Sequence, residues 1–261
     1  MTDASARPVE EASQYEFVMA LVERQIRIRR KRALLGLLWP AIAPYFMLAI
    51  YVYIFHAVFK VGIPDYPVYL FAGLLPWTFF VSALNAANTS ISEQTELIRR
   101  RSFSYQLLPI ASVASVAVFF LANTLIFMVY LTYRGELVFQ RLPYLVLPMI
   151  TLALFTGSLA LALALMDVYN RDMRQILGNL LTVWFFLTPI VYRPNMAIGW
   201  ATAFKSIDPM QVIIGEFRDV FVYGKISYPL HYVETLLVTL ILFLIVNRIF
   251  KRLTQNLAAD V

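Results

Sequence analysis

The chain reads as an all-α membrane protein with six transmembrane helices, and three observations point there. Hydrophobic residues make up 60 % of the 261 residues and charged ones 15 %, against about 45–50 % and about 25 % in soluble domains. The residues between charges form long uninterrupted runs. Lysine and arginine also alternate between rich and poor connections along the chain.

The charge-free runs are Ala33–Phe59, Tyr66–Ser92, Ser102–Tyr133, Leu142–Met166 and Gln175–Tyr192, of 27, 27, 32, 25 and 18 residues. A helix needs roughly 20 residues to cross the hydrocarbon core, so four qualify outright and the fifth is short. A sixth run, Ile226–Asn247, is broken only by His231 and Glu234. Spans are therefore expected at about 34–59, 67–90, 110–132, 144–167, 176–192 and 228–248, within a six-helix transmembrane domain 33–250. With the first connection inside, alternate segments hold 15 and 7 of the 22 lysines and arginines. This bias predicts both termini on the cytoplasmic side.

The elements between spans follow in order. Residues 1–14 are polar and read as a disordered tail. Residues 15–32 place Phe17 and Leu21 on an apolar stripe. Arg27, Arg29, Arg30 and Arg32 gather toward the end, as in an amphipathic helix at the inner interface. Cytoplasmic charge beside anionic headgroups accounts for these arginines without nucleic acid. A cleaved leader does not fit, because hydrophobicity runs past the "AIA" of Ala41–Ala43 and Pro44 follows it. Ser92–Pro109 and Asp167–Gln175 are cytoplasmic connections, and Ser90 with Glu93 has capping-box spacing. The outer segment 193–225 has apolar patches that predict short, re-entrant-like helices before the last span. Residues 251–261 form a cytoplasmic tail.

Chemistry-bearing motifs are few. No GxxxxGK[ST] phosphate loop, HExxH or GxSxG occurs, and the absence of cysteine excludes disulfides and thiolate sites. His56 and His231 do not amount to a metal site, so no metal and no catalytic residue is expected. The span centres hold no ionisable residue, which removes the usual signature of ion-coupled carriers. They hold aromatic residues instead. Tyr45, Tyr51, Tyr53, Phe55, Trp184, Phe185 and Phe186 are candidates for a pathway lining, since aromatic faces suit sugar rings and acyl chains alike. Pro40, Pro44 and Pro189 place bends near the two mouths.

Six motifs in order resemble one family. "RRKRALLGLLWPAIAP" is similar to its basic approach to the first span, and "FAGLLPWTFF" to its second span. "ELIRRRSFSYQLLPI" and "YNRDMRQI" resemble its two cytoplasmic connections, while "FLTPIVY" and "IDPMQVIIGEFRD" resemble its outer motifs. Arg30, Ala33, Ser104 and Asp208 depart from the usual residues. On this ground the chain, from about Arg29 to Asp219, resembles the permease subunits of polysaccharide-exporting ABC transporters.

The resemblance implies a homodimer in a bacterial cytoplasmic membrane that moves a lipid-linked polysaccharide. It implies two copies of a separate ABC ATPase, which would carry the ATP and Mg; this chain would hold no cofactor and catalyse nothing. The docking residues would be Glu93, Glu96, Arg99, Arg100, Arg101, Ser102, Phe103 and Tyr105, with Asp167, Asn170, Arg171, Asp172 and Arg174. Asp208, Pro209, Glu216 and Arg218 would form the outer motif. An ABC exporter of drugs or lipids, or a membrane enzyme acting on prenyl-linked sugars, are the alternative readings.

Overall fold

The structure is a computed structural model that describes residues 16, 18–27, 38–58, 62–94, 104–136, 138–170, 172–196, 208–225 and 229–257. Among the described residues the regular structure is entirely helical. We label the α-helices α1 (18–27), α2 (Leu38–Tyr51), α3 (Tyr66–Asn88), α4 (Leu107–Tyr133), α5 (Leu142–Tyr169), α6 (Met173–Leu187), α7 (Pro209–Arg218) and α8 (Pro229–Leu257). Four of them, α3, α4, α5 and α8, are long and apolar enough to cross a membrane.

Helix α3 is the axis of the bundle. Apolar residues surround it on every side, and a helix of that kind needs neighbours all round. It packs against α2, α4, α5, α6 and α7, and Tyr66, Leu70, Phe71, Leu74 and Phe80 are sealed from solvent. Pro67 sits in its first turn, where the missing N–H costs nothing. Pro76 falls inside it, and the Thr78 hydroxyl donates to the Leu75 carbonyl at 3.0 Å one turn away.

Helix α8 differs. It lies chiefly along α5 and leaves Leu230, Leu237, Val238, Ile241, Leu244 and Ile245 exposed. So broad an apolar face fits lipid as the surrounding solvent.

Two elements depart from regular spans. Helix α2 gives way after Tyr51 to a seven-residue π-helix, Val52–Val58. Helix α6 stops at Leu187 rather than running to 192. Thr188 is extended, with φ −75° and ψ 130°, because the residue before a proline is pushed out of the α region. The chain then crosses as a strap, 188–192, over the start of α3.

Helix α1 docks on the bundle. Leu21 and Val22 are buried with Ile91, Leu108, Ala111, Leu161, Ala164, Leu165 and Phe250, where α4, α5 and α8 meet. Gln25 fastens it, donating to Ser112 Oγ at 2.9 Å and accepting from Ser115 Oγ at 2.8 Å. Its exposed face carries Glu23 and Arg27, paired one turn apart. Phe17, Arg29, Arg30 and Arg32 lie outside the described residues, as do Glu96, Arg99, Arg100, Arg101, Ser102, Phe103 and Arg171.

Candidate translocation groove and its two end clusters

A groove of about 630 Å³ opens between α2, α3, α4 and α6. On α3, Thr78, Ser82 and Asn85 fall at helical spacing on one face, and Thr182 of α6 and Asn123 of α4 join them. Among the described residues no charged one lines it. Several of these polar groups already donate within their own helix: Asn85 Nδ2 to the Val81 carbonyl at 2.9 Å and Thr182 Oγ1 to the Gly178 carbonyl at 2.9 Å. A hydroxyl that donates in this way keeps its acceptor lone pairs. The groove therefore offers oxygen acceptors and aromatic faces, a combination suited to a hydroxyl-rich, uncharged chain.

Of the aromatic candidates, Tyr51, Phe185 and Phe186 line the groove. Tyr51 stacks on Phe185, their centroids 5.3 Å apart. Tyr45 stacks instead on Phe71 at 4.9 Å. Phe55 packs beside Tyr51 at 6.2 Å, and Tyr53 is 68 % exposed. Trp184 sits edge-on to Phe80 and Phe155, with its indole N–H held by Asp208 at 3.0 Å.

The end of the bundle where α6 stops and α7 begins is bound by a buried polar cluster. Asp208 caps α7 through the Met210 N–H at 3.0 Å, and Pro209 supplies the preset first turn. The other Asp208 oxygen accepts from the Thr188 hydroxyl at 2.7 Å. Arg218 donates to the strap carbonyls of Pro189 at 2.8 Å and Ile190 at 2.6 Å, and lies 3.8 Å above the Tyr69 ring. The next two strap carbonyls, Val191 and Tyr192, accept from Tyr66 and Tyr69 hydroxyls at 2.9 and 3.1 Å. A buried stretch with no helical partners thus has its carbonyls satisfied from α3 and α7.

Glu216 is sealed from solvent, and neither carboxylate oxygen has a hydrogen-bond partner. It lies on α7, outside the spanning helices. Burial, with the Asp219 charge adding to it, pushes its carboxyl up to about 8. Asp219 accepts from the Tyr232 hydroxyl of α8.

The opposite end gathers Glu93, Asp167 and Arg174. Asp167 is 1 % exposed and accepts from Arg174 through both oxygens, at 3.1 and 3.3 Å. This hydrogen bonding raises the guanidinium pKa. Asn170 accepts from the Asp172 N–H at 3.0 Å and shapes the turn before α6. Tyr105 packs beside the α1 cluster. Ser90 and Glu93 do not form a capping box: residues Ser92–Gln94 make a 3₁₀ turn, the Glu93 N–H bonds to the Thr89 carbonyl, and its carboxylate turns toward Arg174. Among the described residues no cluster of His, Cys, Asp and Glu has the makings of a metal site.

Several of these residues escape a reading by type alone. Ser92, Tyr66, Tyr69 and Gln25 act through contacts far away in sequence, which no local signal reveals. Thr78, Ser82 and Asn85 do carry a signal: three polar residues on one face of an otherwise apolar span.

Spanning helices around an uncharged groove, with buried polar clusters at each end, define a polytopic membrane protein of the transport class. Sequence comparison supplies the family. Residues 16–222 match the ABC-2 type transporter family, and the chain belongs to it. An O-antigen export system permease protein RfbA from Myxococcus xanthus is 31 % identical over 220 residues, covering 82 % of this chain and 84 % of that protein. Two proteins of the same name from Klebsiella pneumoniae are 26 and 24 % identical, each over 94 % of both chains. The chain is a transporter membrane subunit, not an enzyme, and its family pairs with an ABC ATPase.

Proposed function

We propose that this chain is the permease of an ATP-driven exporter that moves a lipid-linked polysaccharide across the bacterial cytoplasmic membrane. The observation that carries the reading is the groove, whose acceptor oxygens and aromatic faces are free of charge along their length. A glycan sliding through needs many weak contacts; one strong ionic contact would hold it. The names of the relatives agree with this substrate class.

In this reading α2 with its π-helical extension and α6 complete a set of six spans, and both termini are cytoplasmic. Two copies of the chain assemble with two ATPase subunits, which bring ATP and Mg. The ATPases dock on the α3–α4 and α5–α6 connections, the main cytoplasmic protrusions between spans. Helix α1 lies at the inner interface, and the strap with α7 forms the outer boundary of the pathway.

The test is a gene deletion in the source cell, complemented in trans, with surface glycan quantified by lectin binding. Loss of surface glycan with its lipid-linked form accumulating inside is the expected result. Unchanged surface glycan, or ATP-dependent transport of hydrophobic drugs alone by the reconstituted complex, sinks the polysaccharide reading.

A further inference from the structure

The connection between α3 and α4, the end of α5 and the start of α6 are three separate stretches of chain, and they converge on one buried charge. Asp167, with its side chain sealed from solvent, takes two hydrogen bonds from Arg174 and a third from the Ser92 hydroxyl. Arg174 Nη2 also donates to Ser92 Oγ at 3.0 Å, and Nη1 stands 3.9 Å from the Glu93 carboxylate. Ser92 and Glu93 open the α3–α4 connection, Asp167 closes α5, and Arg174 lies in the first turn of α6. Withdrawing Asp167 or Arg174 breaks a pair whose carboxylate is buried, which is far more costly than losing a surface ion pair, and withdrawing Ser92 removes a hydrogen-bond partner from both. The three stretches therefore shift together.

We infer that Ser92, Asp167 and Arg174 form a transmission joint: positioning residues that carry a push on the α3–α4 connection into α6 and so into the groove. The inference rests on the reading that the ATPase docks at this end. It also revises the roles of two docking candidates. Asp167 is too buried to touch a partner subunit, and Arg174 spends its fork on Asp167 and Ser92. Further along α6, Gly178, Thr182, Phe185 and Phe186 line the groove, so a displacement of the helix start is delivered to the groove wall. A bidentate arginine suits the role, since its planar fork fixes direction as well as distance.

The chain has no cysteine of its own, so a single Ser82→Cys in the groove reports its accessibility to a maleimide. The full permease–ATPase complex is labelled with and without ATP plus vanadate. Without further change, ATP alters the labelling rate. With Arg174→Ala or Asp167→Asn the ATPase still co-purifies, while the ATP-dependent change shrinks by about tenfold, equivalent to about 1.4 kcal/mol of lost coupling. Arg174→Lys, which keeps the charge and loses the fork, falls between.

An undiminished response in Arg174→Ala and Asp167→Asn overturns the joint. So does an ATPase lost from Arg174→Ala, which would make Arg174 a contact residue. If Arg174→Ala does not reach the membrane, Ser92→Ala and Arg174→Lys are judged by the same criteria. Failure of the unsubstituted permease to capture an ATPase would instead defeat the docking reading itself.

Discussion

Gly73 leaves a notch in α3 that the guanidinium of Arg218 fills. A Cβ at position 73 would stand 2.9 Å from Arg218 Nη2, closer than side chains tolerate. Alanine ordinarily gains about 1 kcal/mol over glycine inside a helix. Here the crowding opposes that gain, because Arg218 is held by the strap carbonyls and the Tyr69 ring and has little room to move. Gly73→Ala is expected to lower stability by about 1–3 kcal/mol, and Gly73→Val by more. Thermal unfolding in detergent checks it; a rise in Tm for Gly73→Ala would show that the notch has slack.

Asp208 joins three donors from two segments, so its substitutions should separate by chemistry. Asp208→Ala loses the α7 cap, worth about 0.5–2 kcal/mol, and strands the buried Thr188 hydroxyl and Trp184 N–H. Asp208→Asn keeps one acceptor oxygen and should recover part of the loss. Unfolding midpoints order the three proteins as native, Asn, Ala. A Thr188→Val background, which removes the donor to the other oxygen, should shrink the gap between native and Asp208→Asn.

Glu216 makes stability fall as pH rises. Native Glu216 holds its proton up to about 8, whereas the ordinary value is 4.5. Its contribution is complete below 4.5, declines between the two values and is gone above about 8. The change expected between pH 6 and pH 9 is about 2–3 kcal/mol. Glu216→Gln, neutral throughout, should flatten that slope. An unchanged slope in the variant would assign the pH dependence to another group.

In the groove, sign of charge should matter more than size. Asn85→Leu and Ser82→Ala each remove an acceptor and should reduce export by a few-fold, about 1 kcal/mol per hydrogen bond. Asn85→Lys places a cation in an uncharged path and should reduce it further while the ATPase stays bound. Surface glycan in the complemented deletion strain measures all three. Equal export in Asn85→Lys and native cells would remove α3 from the pathway.

How much of this was legible in the sequence depends on the range of the forces involved. Helices α3, α4 and α5 were visible because each is a long unbroken apolar run, and α8 because its run is broken only by His231 and Glu234; length decides such cases. The end of α6 was not, since hydrophobicity continues through residue 192 while Pro189 breaks the backbone. The stripe of α1 was readable, but periodicity shows only that a face is apolar. That this face meets Leu161 and Phe250 is a tertiary fact. Asp208 and Arg218 stood out through motifs, whereas their hydrogen-bond partners are mostly backbone carbonyls, which have no sequence identity to read. Glu93, Asp167 and Arg174 were named as docking residues, and residue type could not reveal that Asp167 and Arg174 pair with each other.

Helix α6 is secured at both ends, by Arg174 at its first turn and by Trp184 and Thr188 through Asp208 at its last. At 15 residues it is about 22 Å long, and between its moorings Gly178 lines the groove while Asn179 and Leu180 are exposed. A beam clamped at both ends neither swings nor slides; it bows. Pressure applied at one clamp must appear as curvature at mid-length, where Gly178 adds no side chain to resist it.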